Sequence, residues 1–243
     1  MTSSRFSWKV FDTLFGPWMR RRVRIHIAGL RLIPDDGRPL LVCSNHESWW
    51  DGFLIRELQR RARPSSRFYA VMLERELRRH PYLKALGAVG IEPGSVASAR
   101  ALHVNLKGMS VDPGGSVLAF FPQGRIRPDD PRPLGFKGGL VGVAEALEPT
   151  AILPVGLRLL PGRGHRIEAY LSVGEPLATS GPDSVSAGLL EAAVEEELTA
   201  IRRFVHRHGE DAASRWPAEH ERLPRAADPA WSVDDVGAWI SRN

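Results

Sequence analysis

Apolar residues fall along this chain in two alternating patterns, short unbroken or every-second-residue runs and longer stretches in which they recur every third or fourth position. The first pattern predicts strands and the second helices. Strands are predicted at 23–28, 40–44, 67–72, 88–92, 116–121, 151–158 and 166–173, and helices at 50–62, 74–86, 95–107, 138–147 and 187–208. Strand followed by helix, repeated, predicts an α/β fold with a largely parallel central sheet flanked by helices, and places the chemistry outside the strand ends. Residues 23–28 alternate apolar and basic positions, as an edge strand with one wet face does, and 187–208 runs acidic first and basic last, in the sense the helix dipole prefers. No internal repeat is visible.

Both ends depart from this alternation. In the N-terminal segment Val10, Phe11, Leu14, Phe15, Trp18 and Met19 cluster near one helical face and are followed at once by Arg20, Arg21 and Arg22. Such an amphipathic helical segment can lie in the interface of an anionic membrane, rings among the headgroups and guanidinium groups on phosphates, or can pack on the domain. Gly16-Pro17 predicts a break within it. Beyond 208 the chain is charged and punctuated by proline until Ser232 and Asp235, which have capping-box spacing and predict a short helix through Trp239. The organisation expected is therefore a basic amphipathic segment at 1–22, one domain at 23–208 and an extension at 209–243.

Composition narrows the class. At 243 residues and 43% hydrophobic the chain can bury one substantial core. The net charge of +5 is concentrated: residues 1–32 carry seven basic side chains and one acidic, and 56–84 carry nine and three. Surfaces of this kind suit lipid headgroups, nucleic acid or an acidic carrier protein. A pI near 9.9 keeps a nucleic-acid-binding module in view, but that reading leaves the two site-like stretches described next without a role. No apolar run approaches the ~20 residues that span a bilayer, and the arginines follow rather than precede the first apolar stretch, which is not a signal-peptide pattern. The expectation is a cytoplasmic protein, peripheral at the inner face of the cell membrane. A single cysteine, Cys43, excludes an internal disulfide and fits a reducing compartment.

The first site-like stretch is LLVCSNHESWWDGFL, residues 40–54. Residues five apart on one helix point about 140° from each other and cannot touch. For His46 and Asp51 to meet, His46 must precede the helix and Asp51 lie in its first turns. The carboxylate then reaches back to one imidazole nitrogen and leaves the other to accept a proton from a hydroxyl. The competing reading is a capped helix start, with Asn45, His46 and Ser48 as caps and Asp51 favoured there by charge. Cys43, three residues before His46, raises a Cys–His nucleophilic pair as a further alternative, against a packing role in an apolar strand. The second stretch is FFPQGRIRPDDPRPLGFK, residues 120–137, where a strand enters Pro-Gln-Gly and backbone N–H groups can turn outward near Gly124 to meet an anion or oxyanion. Arg125 and Arg127 add planar donors suited to phosphate or carboxylate, and a plain turn with solvated arginines is the alternative.

These stretches resemble the glycerolipid acyltransferases, of which the lysophosphatidic acid acyltransferases are the best-known members. Asn45-His46-Glu47-Ser48-Trp49-Trp50-Asp51 is similar to their NHxSxxD block, Phe121-Pro122-Gln123-Gly124-Arg125 to FPEGT(R), Phe136-Lys137-Gly138-Gly139 to FKxG, and Ala151-Ile152-Leu153-Pro154-Val155 to an apolar-Pro-Val block. The order matches, over about residues 23–175. The resemblance implies transfer of a fatty acyl group from acyl-CoA or acyl-carrier protein to a lipid hydroxyl, most simply that of 1-acylglycerol-3-phosphate in phospholipid synthesis. His46 would be the base and Asp51 its partner, with Asn45, Ser48, Pro122, Gln123, Gly124, Arg125, Arg127 and Lys137 in the substrate site. No cofactor, metal or nucleic acid is implied; the partners are an anionic membrane surface, the lipid acceptor and the acyl carrier. Gln123 stands where the family has glutamate, Arg125 where it has threonine and Ile126 where it has arginine, and Glu92-Pro93 occupies the place of an arginine that helps hold the acceptor phosphate. A non-phosphorylated acceptor (a glycolipid, a carotenoid glycoside or an aminolipid) and a lipid-binding protein without catalysis therefore remain open at this point.

Overall fold

The structure is a computed structural model that describes residues 5–112, 114–128, 132–149, 151–162, 166–178 and 186–216. Its centre is β2 (Leu40–Ser44), every residue of which is buried. A strand covered on both faces has no polar alternation, which is why this stretch is continuously apolar. It lies parallel between β5 (Ser116–Phe120) and β6 (Ala151–Pro161). Outward from β5 come β3 (Arg67–Leu73) and β4 (Ala88–Ile91), both parallel. Outward from β6, β7 (Ile167–Val173) returns antiparallel and β1 (Val23–Ala28) closes the edge parallel to it, while β8 (Leu177–Ala178) pairs with the start of β6. The order is β1-β7-β6-β2-β5-β3-β4.

Alternation along β2 divides the core. Leu40 and Val42 join one apolar cluster with Phe53, Leu54, Ile55 and Leu58 of α3 (Asp51–Ala62). Leu41 and Cys43 point the other way, among Leu102 and Leu106 of α5 (Val96–Ser110) and Leu140 and Val143 of α6 (Gly139–Leu147). Ser95 caps α5 by accepting from the Ser98 N–H, and Ser186 does the same for α7 (Ala187–His208).

Several sequence expectations are refined. Helix was expected throughout 74–86, but α4 (Glu74–Arg79) stops short of Pro81 and a 3-10 segment, Pro81–Leu86, follows. The N-terminal segment breaks where expected, into α1 (Arg5–Leu14) and α2 (Gly16–Arg22). It also docks on the domain: Trp8 is buried against Phe11, Phe53 and Phe68, while Phe6, Leu14, Phe15 and Trp18 stay exposed. After α7, α8 (Ala212–Arg215) leads to Trp216, fully buried against Tyr170 and Phe204, so the folded unit continues past 208. The helix expected at 232–239 lies outside the described residues. Among the described residues no helix is long and apolar enough to cross a membrane.

Candidate active site

The site forms where β2 ends. The chain leaves the sheet at Ser44, turns through Asn45–Trp50 and enters α3 at Asp51. His46 thus precedes the helix and Asp51 opens it, and their side chains meet with Nδ1 2.7 Å from Asp51 Oδ2. The same oxygen accepts the Glu47 N–H at 2.7 Å and the Ser48 N–H at 2.9 Å, while Oδ1 accepts the Ser48 hydroxyl at 2.5 Å. The Asp51 side chain is wholly buried, and these donors replace the water it has lost. With Nδ1 committed to Asp51, Nε2 carries the lone pair, and among the described residues nothing bonds to it. The ring has 21% of its side-chain surface exposed, enough for a substrate hydroxyl to approach, and stacks on Phe121 with centroids 4.4 Å apart at 20°.

The second stretch holds the first from behind. Gln123 is buried, and its Oε1 accepts the His46 N–H at 2.6 Å. A glutamine carbonyl serves as acceptor here as a carboxylate would, without the cost of burying a charge, so exchanging glutamate for Gln123 preserves the contact. The Arg127 N–H donates to the His46 carbonyl at 2.7 Å, and the Lys137 N–H donates to the Pro122 carbonyl at 3.1 Å, which folds the 136–139 stretch back on the turn. The Gly124 N–H closes its own turn on the Phe121 carbonyl at 3.0 Å, so it does not point outward as the sequence suggested. Gly124 has φ +66°, and a Cβ there would lie 3.0 Å from Lys137 Nζ. The positive φ makes glycine the favoured residue there, and the Lys137 ammonium group occupies the space above it. Arg125 and Lys137 are exposed and Arg127 half-buried, so the stretch whose backbone bonds to His46 carries three cationic residues, with Lys137 Nζ over Gly124 and Arg127 Nη1 towards Gly135.

Asn45 is committed elsewhere. Its amide donates to the Leu157 carbonyl at 2.9 Å and accepts the Leu157 N–H at 2.8 Å, pinning the site loop to β6. Ser48 serves Asp51 and also accepts the Trp50 N–H at 3.1 Å. Two contributors fall inside the matched sequence blocks but are not among the expected site residues, Phe121 under the imidazole and Glu47. Glu47 is buried, pairs with Arg158 Nη1 at 2.8 Å and accepts the Leu159 N–H at 3.1 Å. Burial pushes its carboxyl up to about 7 against the opposing pull of Arg158. Cys43 does not face His46: it sits in the cluster on the far side of the sheet, fully buried, and burial drives its thiol far above the range in which a thiolate forms. The Cys–His alternative is thereby removed.

The fold and site define an α/β protein with a His–Asp pair at the carboxyl end of its central strand, backed by a cation-bearing turn. The Acyltransferase family profile matches residues 24–158, more than half of the chain, and the protein belongs to that family. The sequence blocks pointed to the same family. Among solved structures the fold is similar to the 1-acyl-sn-glycerophosphate (LPA) acyltransferase PlsC of Thermotoga maritima, at 24% identity and a TM-score of 0.51, over 84% of this chain and 78% of that one. No curated protein matches the chain.

Proposed function

We propose that the protein is an O-acyltransferase that moves a fatty acyl group from an acyl thioester, on CoA or acyl-carrier protein, to a lipid hydroxyl at an anionic membrane surface, with 1-acylglycerol-3-phosphate as the acceptor. The observation that carries this reading is the imidazole held by Asp51 at Nδ1 with Nε2 open. Nε2 takes the proton as the acceptor oxygen attacks the thioester carbonyl. The tetrahedral intermediate collapses, the C–S bond breaks, and the imidazolium returns its proton to the departing thiolate. A base so placed contributes on the order of 10²–10⁴ in rate. Lys137, with Arg125 and Arg127, supplies the positive charge near Gly124 for the oxyanion and for the acceptor phosphate. Those three cations favour a phosphorylated acceptor over a neutral one, although the family's further arginine is replaced by Glu92-Pro93.

A surface aromatic ridge supports the membrane part of the reading. Trp18 packs on Trp50 at 5.3 Å, Trp50 on Trp49 at 5.8 Å, Trp49 on His80 at 5.6 Å and His80 on Tyr82 at 6.0 Å. Trp18, Trp49 and Tyr82 are exposed, and the ridge runs from α2 to the loop that carries His46. Amphipathic rings with arginines beside them are what a headgroup zone accommodates. The test is transfer from labelled acyl-CoA and acyl-carrier protein to a panel of phosphorylated and neutral lipid acceptors. His46→Ala should abolish transfer and leave folding and liposome binding intact. Retained transfer would remove His46 from the chemistry, and transfer confined to neutral acceptors would replace the acceptor class.

A further inference from the structure

A cavity of about 540 Å³ lies between the N-terminal helices, α3 and the start of β3, its charged lining Lys9, Asp12, Arg20, Arg56 and Arg67, with Trp8 and Phe68 among its apolar walls. It is on the opposite side of the sheet's length from His46. Leu40 and Phe68 both pair with Val117 at one end of the parallel strands, and His46 lies beyond the other end of β2, at least ~13 Å further along.

The charges around this cavity do not balance. The Arg56 guanidinium lies 4.7 Å over the Trp8 ring, and its Nε and Nη1 are buried with no hydrogen-bond partner among the described residues. Among the described residues its only ion-pair neighbour is Asp12, at a loose 3.8 Å, and the same carboxylate also feels Arg20 and Arg60. Glu57, the next acid along α3, is taken by Arg60 and Arg61 at 2.8 Å each. Arg67 is held by Asp112 at 3.1 Å. Lys9 and Arg20 form no ion pair among the described residues. A cavity of ligand size walled by Lys9, Arg20 and Arg56 against the carboxylate of Asp12 carries a surplus of positive charge, and a tetrahedral oxyanion, which accepts guanidinium and ammonium donors in parallel, would balance it.

We propose that this cavity binds a phosphate-ester anion, seated on Arg56 and enclosed by Lys9 and Arg20, at a site separate from the His46–Asp51 pair. The ester can be a soluble one or a lipid headgroup presented next to α1 and α2. The test uses the full chain at fixed ionic strength. Thermal unfolding is followed with inorganic phosphate and with glycerol phosphate, and cosedimentation with phosphatidylglycerol vesicles against vesicles of a neutral glycolipid that lacks phosphate. Binding to the native state raises the unfolding temperature with ligand concentration. Arg20→Gln and Lys9→Gln, at exposed positions, and Arg56→Gln should each weaken the response about tenfold or more. Arg21→Gln, next along the same helix and outside the cavity lining, should leave the response to soluble ester unchanged and weaken vesicle binding less than Arg20→Gln does. A response to soluble ester assigns a free ligand, and a response confined to phosphatidylglycerol vesicles assigns a headgroup. If none of the ligands gives a response, or if Arg21→Gln weakens it as much as Arg20→Gln, there is no such site. His46→Ala should retain the response, so loss of acyl transfer and loss of anion binding are read separately.

Discussion

Replacing Asp51 by asparagine separates what its charge does from what its shape does. Asparagine can place its carbonyl where Oδ2 now accepts His46 Nδ1, Glu47 N and Ser48 N at 2.7, 2.7 and 2.9 Å, and its amide can donate to the Ser48 hydroxyl. Each of the three bonds then falls from a charge-assisted one of ~1.5–3 kcal/mol to a neutral one of ~0.5–1.5 kcal/mol. The gross loss is about 3 kcal/mol, and no longer burying an ionised carboxylate offsets part of it, so the net cost should be about 1–2 kcal/mol. A domain with ~5–15 kcal/mol of stability survives that. The tautomer also survives, because a carbonyl still accepts from Nδ1. What disappears is the negative charge that stabilises the imidazolium as the proton arrives. Acyl transfer by Asp51→Asn should therefore drop by at least ~10²-fold, within the range a general base supplies, while urea denaturation shows a folded, slightly weakened protein. Asp51→Ala differs in kind: it leaves four inward donors without an acceptor, at ~1–3 kcal/mol each, and should fail to fold stably. Wild-type turnover by Asp51→Asn would refute the assignment of a charge-dependent base to His46.

Three further outcomes follow from the same contacts. Gln123→Leu removes the acceptor of the His46 N–H and should cost ~1–3 kcal/mol in urea unfolding, with kcat lowered more than KM changes because the imidazole loses its placement. Glu47 holds its proton in the folded state between the usual glutamate value near 4.5 and about 7, so its contribution is full below the first value and lost as pH rises through the second. Wild-type stability measured against Glu47→Gln should accordingly fall across that window, and parallel curves would mean the carboxyl is ionised throughout. Leu14→Ser with Phe15→Ser and Trp18→Ser should reduce sedimentation with anionic liposomes at little cost in stability, since all three are exposed. Deleting the whole segment would confuse the two effects, because Trp8 belongs to the core.

What the sequence determined by itself is local. The apolar run at 40–44, the polar turn after it and the five-residue spacing of His46 and Asp51 require a strand, a bend and a helix start, and these alone bring imidazole to carboxylate. Gly16-Pro17 marked the N-terminal break for the same reason, since backbone geometry is set by the residues that carry it. Tertiary structure decided what depends on partners distant in the chain. The Gln123 carbonyl reaches His46 across 77 positions and Asn45 reaches Leu157 across 112, and no periodicity encodes either bond. Gln123 and Asn45 are legible in sequence as residues near chemistry, but only packing shows that their polar ends are spent on holding the site loop. The antiparallel return of β7, the burial of Trp8 and the surplus of cations around Arg56 are likewise consequences of which surfaces meet. A hydrogen bond or a buried charge is a property of two groups and the water excluded between them, and the chain settles that only when it closes on itself.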